Sequence, residues 1–141
     1  MKRIAFLSII IYVILLFSAE NAFAQADARY KNGKMTEISD LLAYEEMQDC
    51  DARRYLGTIS AIQYVNKTTI KSFTLRTNKG AVKINISPRL YEQRIKANDA
   101  TNLPTLVARN KKVTVDTYAC SSGRIILAMY ILAGSEPDVL G

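Results

Sequence analysis

The stretch "FTLRTNKGAVKINIS", residues 73–87, constrains the fold of this chain most. Val82, Ile84 and Ile86 alternate with Lys83 and Asn85, the period of a strand with one wet face. Ahead of them, Asn78-Lys79-Gly80 predicts a hairpin turn, with glycine where a positive φ is needed. On its other side "IKSFTLRTN" alternates, with Ile70, Phe73 and Leu75 as the apolar members. The three-residue step from Ile70 to Phe73 breaks the period and predicts a slip or bulge at Ser72.

The same texture recurs on both sides. "RYLGTISAIQYV", residues 54–65, is rich in β-branched and aromatic residues. An isolated glycine such as Gly57 marks a bulge or a tight bend in a strand. Pro88 ends the third predicted strand. "RLYEQRIKANDATNLPTLVARN" is helical in composition, with a break expected over 98–104. Leu90, Tyr91 and Ile95 form one apolar face there, and Leu103, Leu106 and Val107 another. "KKVTVDTYAC" points Val113, Val115, Thr117 and Ala119 inward. After Ser121-Ser122-Gly123, "RIILAMYILAG" is apolar on both faces, as expected of a central strand.

The first 24 residues have the form of an export signal. Lys2 and Arg3 precede an apolar run over 4–17, and Ala22-x-Ala24 supplies the small residues a signal peptidase accepts. The run is short for a membrane span. The expectation is cleavage after Ala24, a periplasmic or secreted protein, and no transmembrane anchor afterwards. Formal charge falls from +6 to +5 as Lys2, Arg3 and Glu20 leave. Residues 25–34 are polar and hold Asn-Gly, and are expected to be a mobile leader. In "MTEISDLLAYEEMQD", residues 35–49, Ile38, Leu41, Leu42 and Met47 sit at helical spacing, with Glu37 and Asp40 early, where a helix dipole favours them. A short helix is expected, with a strand over 37–42 as the alternative. The division is therefore 1–24 signal, 25–53 leader and helix, 54–134 β-barrel and 135–141 tail.

Much chemistry is excluded by composition. The chain has no histidine, so Ser-His-Asp, Cys-His and HExxH constellations are absent. Neither a P-loop nor GxGxxG occurs. Glu45, Glu46, Asp49 and Asp51 cluster ahead of the barrel and read as a solvated acidic face. Asp116 is expected on the outward side of its strand, beside Lys112. Asn66-Lys67-Thr68 and Asn85-Ile86-Ser87 match the glycosylation pattern, and a Thr-rich turn explains them more simply. Two cysteines, Cys50 and Cys120, have neither ligand spacing nor a CxxC arrangement. In an exported chain they are expected to form one disulfide. Neither a metal nor a cofactor is expected, and no catalytic residue is assigned.

Three strands, a helical insert and two more strands resemble the OB-fold family, and among it the exported bacterial OB-fold domains. The resemblance rests on "LGTISAIQYV", "FTLRTNKGAVKINIS", "NKKVTVDTYACSSG" and "RIILAMYIL". It implies a mainly β, five-stranded Greek-key barrel. In such a barrel the first and fourth strands are antiparallel neighbours, so Cys50, ahead of the first, would meet Cys120, at the end of the fourth. OB-folds commonly bind oligonucleotides or oligosaccharides over strands two and three. Tyr64, Lys67, Lys71, Phe73, Arg76, Lys79 and Lys83 fall there and are the candidate ligand residues, cations for an anionic group and aromatics for stacking. A plainer reading makes Phe73 core, Tyr64 half-buried and the lysines a solubilising edge.

The leading expectation is an exported, non-catalytic binding module for an anionic ligand, a glycan or an envelope protein. Export argues against nucleic acid. One alternative is a homo-oligomeric, ring-forming subunit similar to the B subunits of AB5 toxins, motivated by the two apolar faces of 125–132. Another is an inhibitor of an envelope enzyme that presents residues 87–102.

Overall fold

A computed structural model describes residues 25–41, 49–120 and 126–134. The signal segment, Glu45, Glu46, Met47 and the tail lie outside the described residues. In order, the elements are β1 (Asp27–Lys31), β2 (Lys34–Ser39), β3 (Cys50–Tyr64), β4 (Ile70–Thr77), β5 (Gly80–Asn85), α1 (Pro88–Gln93), α2 (Ala97–Leu106), β6 (Lys112–Cys120) and β7 (Ile126–Ala133). The fold is mainly β, with all seven strands in one sheet ordered β1-β2-β7-β5-β4-β3-β6. The expected count of five strands is corrected by the hairpin of β1 and β2.

That hairpin overturns two expectations. Asn32 and Gly33 both take left-handed backbone, at φ 53° and 77°. Two such residues make the turn whose twist matches that of the flanking strands. The expected leader is thus β1 and its turn. The expected helix begins instead as strand β2, which buries Met35 and Ile38. Their three-residue spacing is helical in sequence and has another cause here. Tyr30 lies opposite Met35 and Arg29 opposite Glu37, so Thr36 is an extra residue. A bulge reverses the side-chain alternation, and both apolar residues reach the core.

The same device recurs. Tyr64 faces Ile70 and Gln63 faces Ser72, leaving Lys71 as the extra residue of β4. This is the predicted irregularity, one position earlier. Ser60 is the extra residue of β3, between Ile59 and Ala61. On β7, Asp116 faces Tyr130 and Thr117 faces Ala128, so Met129 is extra. The alternation expected over 125–132 is therefore broken at Met129, and Ala128 and Ile131 are buried together. They lie opposite Thr117 and Val115, which are themselves buried.

The long strand β3 serves two neighbours. From Cys50 to Thr58 it pairs with β6, and from Thr58 onward with β4. Gly57 sits at the changeover, where β4 passes closely. A Cβ there would lie 2.3 Å from the Arg76 carbonyl oxygen. Glycine is required by space, since nothing larger fits beneath that carbonyl. The cysteines are directly opposite in the β3–β6 ladder and form a disulfide, with Cα atoms 3.9 Å apart.

Between β5 and β6 the two helices occupy the expected insert, with a different break. Ser87 caps α1 by accepting from the Arg89 N–H (3.3 Å), and Pro88 follows at a position where its missing N–H costs nothing. The chain breaks over 94–96, and α2 runs through the 98–104 segment expected to interrupt it, Pro104 included. Side-chain bonds from Thr101 to the Ala97 carbonyl and from Asn102 to the Asn98 carbonyl reinforce its turns. Leu90, Leu103 and Leu106 pack into one core cluster with Ile59, Ile84 and Ile38.

The pairings β3–β4, β4–β5, β5–β7, β7–β6 and β6–β3 return to their start. Their thin place is β5–β7, a parallel contact registered at Asn85 and Leu127. The other ladders are antiparallel. The expectation of a closed barrel is corrected accordingly: the sheet is not closed by a continuous ladder there. Beyond that contact, β7 is met by β2, with Glu37 opposite Leu132 and Ile38 opposite Ile131. This supplies a partner within the chain for the edge of β7 that β5 leaves.

Candidate ligand-binding face

The β4–β5 hairpin presents the cations that composition alone could only suggest. Arg76 faces Ala81 and Lys83 faces Thr74 across the ladder. In β3, Thr58 and Ala61 extend the same two rows. Arg76 and Lys83 are both exposed, as are Thr58, Ala61 and Ala81. Diagonal positions on antiparallel strands lie roughly 7–8 Å apart, a span that one sulfate or phosphate group can bridge with two long side chains. Their ladder neighbours are all neutral. The ion pairs of Arg29 with Glu37 (3.7 Å) and Arg54 with Asp116 (2.6 Å) lie elsewhere.

The remaining candidates divide. Lys71 is exposed at its bulge, next to the first pair of the β3–β4 turn. Lys67 is exposed in that turn and Lys79 in the β4–β5 turn, at opposite ends of β4. Phe73 is 1% exposed and belongs to the core, facing Ile84 and Ile62. Its assignment as a stacking residue is corrected, because its ring has no free face. The alternation that made Phe73 conspicuous in sequence is what turns it inward.

Tyr64 is 45% exposed, and its neighbour Val65 is 63% exposed. Val65 escaped the reading of the sequence, since a single valine beside a turn carries no periodic signal. The turn beneath it is tightly built. Asn66 Oδ1 accepts from the backbone N–H groups of Thr68 and Thr69, both at 3.0 Å, and the Val65 N–H donates to the Thr69 carbonyl at 2.8 Å. The Thr-rich turn explains Asn66. From the other side, the Ile70 N–H donates to the Tyr91 hydroxyl at 3.0 Å, fastening this end to α1. Burial pushes the Tyr91 hydroxyl up to about 12, against the pull of the Ile70 bond and with a smaller push from Tyr64.

No protein-family model matches the chain, and no curated protein matches it either.

Two further clusters lie apart from this face. The Tyr30 hydroxyl donates to Asp99 at 2.5 Å, joining β1 to the first turn of α2 across 69 residues of sequence. Asp99 is buried, and the Met35 N–H donates to Thr105 Oγ1 six residues further along α2. Desolvation, the hydrogen bond to Asp99 and its charge push the Tyr30 hydroxyl up to about 12, with Asn102 opposing. The second is a depression of about 260 Å³ lined by Ser39, Asp40, Leu41, Asp116, Met129 and Tyr130. Asp116 does face outward as expected, and Arg54 grips it with two hydrogen bonds, at 2.6 and 3.1 Å. Asp49 and Asp51 are exposed, and Asp51 lies on β3. Among the described residues, no group of three His, Cys, Asp or Glu side chains is placed to hold a metal ion.

Proposed function

We propose that the protein is an exported, non-catalytic binding module with the organisation of an OB-fold, taking an anionic ligand across the β4–β5 face. One observation carries the reading: Arg76 and Lys83 stand exposed on neighbouring strands among threonine and alanine. Cations without a neighbouring carboxylate keep their charge available to an incoming sulfate, phosphate or carboxylate. The OB organisation is supported by β3, which serves both β4 and β6, and by the parallel contact of the third and last strands of that set. The helical insert lies between its third and fourth members. Export is supported by the form of residues 1–24, and the disulfide is compatible with an oxidising location.

An anionic glycan or the acidic surface of an envelope protein fits this chemistry. The test is an array of sulfated and neutral glycans, with an oligonucleotide as comparison, probed at two salt concentrations. Binding should be selective for anionic members, weaken with salt, and fall about tenfold when Arg76 and Lys83 are both replaced by alanine. Binding to none of these probes would overturn the assignment.

A further inference from the structure

The β3–β4 turn combines features that the β4–β5 face lacks. Tyr64 and Val65 expose apolar surface at its base, and Lys67 and Lys71 stand exposed on either side of its far strand end. Exposed valine on a soluble protein is ordinary when alone; here it adjoins an exposed tyrosine and two cations. The turn is held by three hydrogen bonds to Asn66 Oδ1, the third from the Thr68 hydroxyl at 3.3 Å, and by the Val65–Thr69 backbone bond. A turn already ordered loses little conformational entropy on docking.

We propose that this turn docks on the surface of an anionic phospholipid bilayer. Tyr64 and Val65 enter the headgroup layer, where an amphipathic ring and a small apolar side chain are both favoured. Lys67 and Lys71 stay at the level of the phosphates and meet them by charge. The chain's net positive charge adds a longer-range attraction to such a surface. Charge complementarity selects the occupant: an apolar protein groove would favour Tyr64 and Val65 and reject the two lysines beside them. The inference rests on the exported, anion-binding reading above and adds a distinct surface to it.

Co-sedimentation of the mature, disulfide-bonded protein with phosphatidylcholine vesicles, with and without phosphatidylglycerol, tests it. Binding is expected only with phosphatidylglycerol. Lys67→Ser and Lys71→Ser should each weaken it about fivefold, and Val65→Ser by a similar factor, about fivefold. All three positions are exposed, so circular dichroism should show the fold unchanged. Val65→Ser should leave binding of sulfated glycans untouched. Equal vesicle binding by the native protein and the turn variants would overturn the proposal, as would loss of vesicle binding on changing Arg76 and Lys83 alone. Absence of vesicle binding with glycan binding retained would sink this inference and leave the proposed function standing. Loss of both would remove both.

Discussion

The hairpins β1–β2 and β3–β4 use the same device and are fastened by different means. Each contains a bulge that brings two residues three apart to the core, Met35 and Ile38 in one, Ile70 and Phe73 in the other. The second shares β3 with β6 through a ladder running from Cys50 to Thr58, closed by the disulfide. The first meets the sheet where Glu37 and Ile38 of β2 lie opposite Leu132 and Ile131 of β7. The Leu41 N–H donates to the Met129 carbonyl at 3.1 Å just beyond, and the hairpin is further tethered to the insert. Tyr30 holds Asp99, Met35 holds Thr105, and the Ala26 N–H holds the Arg94 carbonyl at 2.8 Å. A continuous ladder spreads its stability over many mutually supporting backbone bonds, while a tether concentrates it in a few contacts. The β1–β2 hairpin should therefore open at lower free energy than β3 and β6.

The largest test removes the covalent closure. Replacing Cys50 and Cys120 with serine should lower global stability by about 4 kcal/mol on the chain-entropy estimate for a loop of this size. Urea denaturation would measure it. Amide exchange should accelerate most in β3 and β6 and little in β1, which opens locally in either form. Equal acceleration in both hairpins would break the distinction between them.

A pair of glycine substitutions sharpens it further. Gly57→Ala forces a Cβ against the Arg76 carbonyl oxygen and carbon, at 2.3 and 2.9 Å, so backbone must move at the crossing of two ladders. Overpacking of this kind should cost about 3 kcal/mol. Gly33→Ala meets no atom within 4 Å and suffers only from its left-handed backbone. That should cost about 1 kcal/mol. Reversal of this order in urea midpoints would place the critical geometry in the N-terminal turn.

The last test concerns pH. An unfolded tyrosine ionises near pH 10, whereas Tyr30 and Tyr91 in the fold do so at about 12. Below pH 10 the neutral hydroxyls contribute their full stabilisation. Between 10 and 12 the unfolded chain releases protons first and the contribution is lost, so stability falls as pH rises. Tyr30→Phe should flatten this fall and also free β1 from α2, visible as faster exchange of β1 amides. An unchanged slope would mean that the Tyr30–Asp99 bond does not set the docking of the hairpin.

Much of the β4–β5 region was legible because its information is local. The period of Val82, Ile84 and Ile86 and the Asn78-Lys79-Gly80 turn, with Gly80 at φ 120°, specify a hairpin within a few residues. The candidate face was legible to the same extent: alternation puts Arg76 and Lys83 outward, and it also puts Phe73 inward. The N-terminal hairpin was misread because a bulge imitates the helical step. Met35 and Ile38 look like successive turns of a helix, and only the register of Thr36 against β1 shows otherwise. The Asn32-Gly33 pair was the available signal, and the lack of alternation in the strand before it hid its meaning.

By itself the sequence determined the strand-forming segments from β3 onward, the β4–β5 turn built on Gly80, the existence of a helical insert and the pairing of the only two cysteines. Each follows from backbone preference or from counting. The tertiary structure alone decided which strand serves two neighbours, where the bulges reverse the faces, and that Tyr30 reaches Asp99. Those outcomes depend on residues far apart in the chain, whose packing selects one register among several that local preference permits.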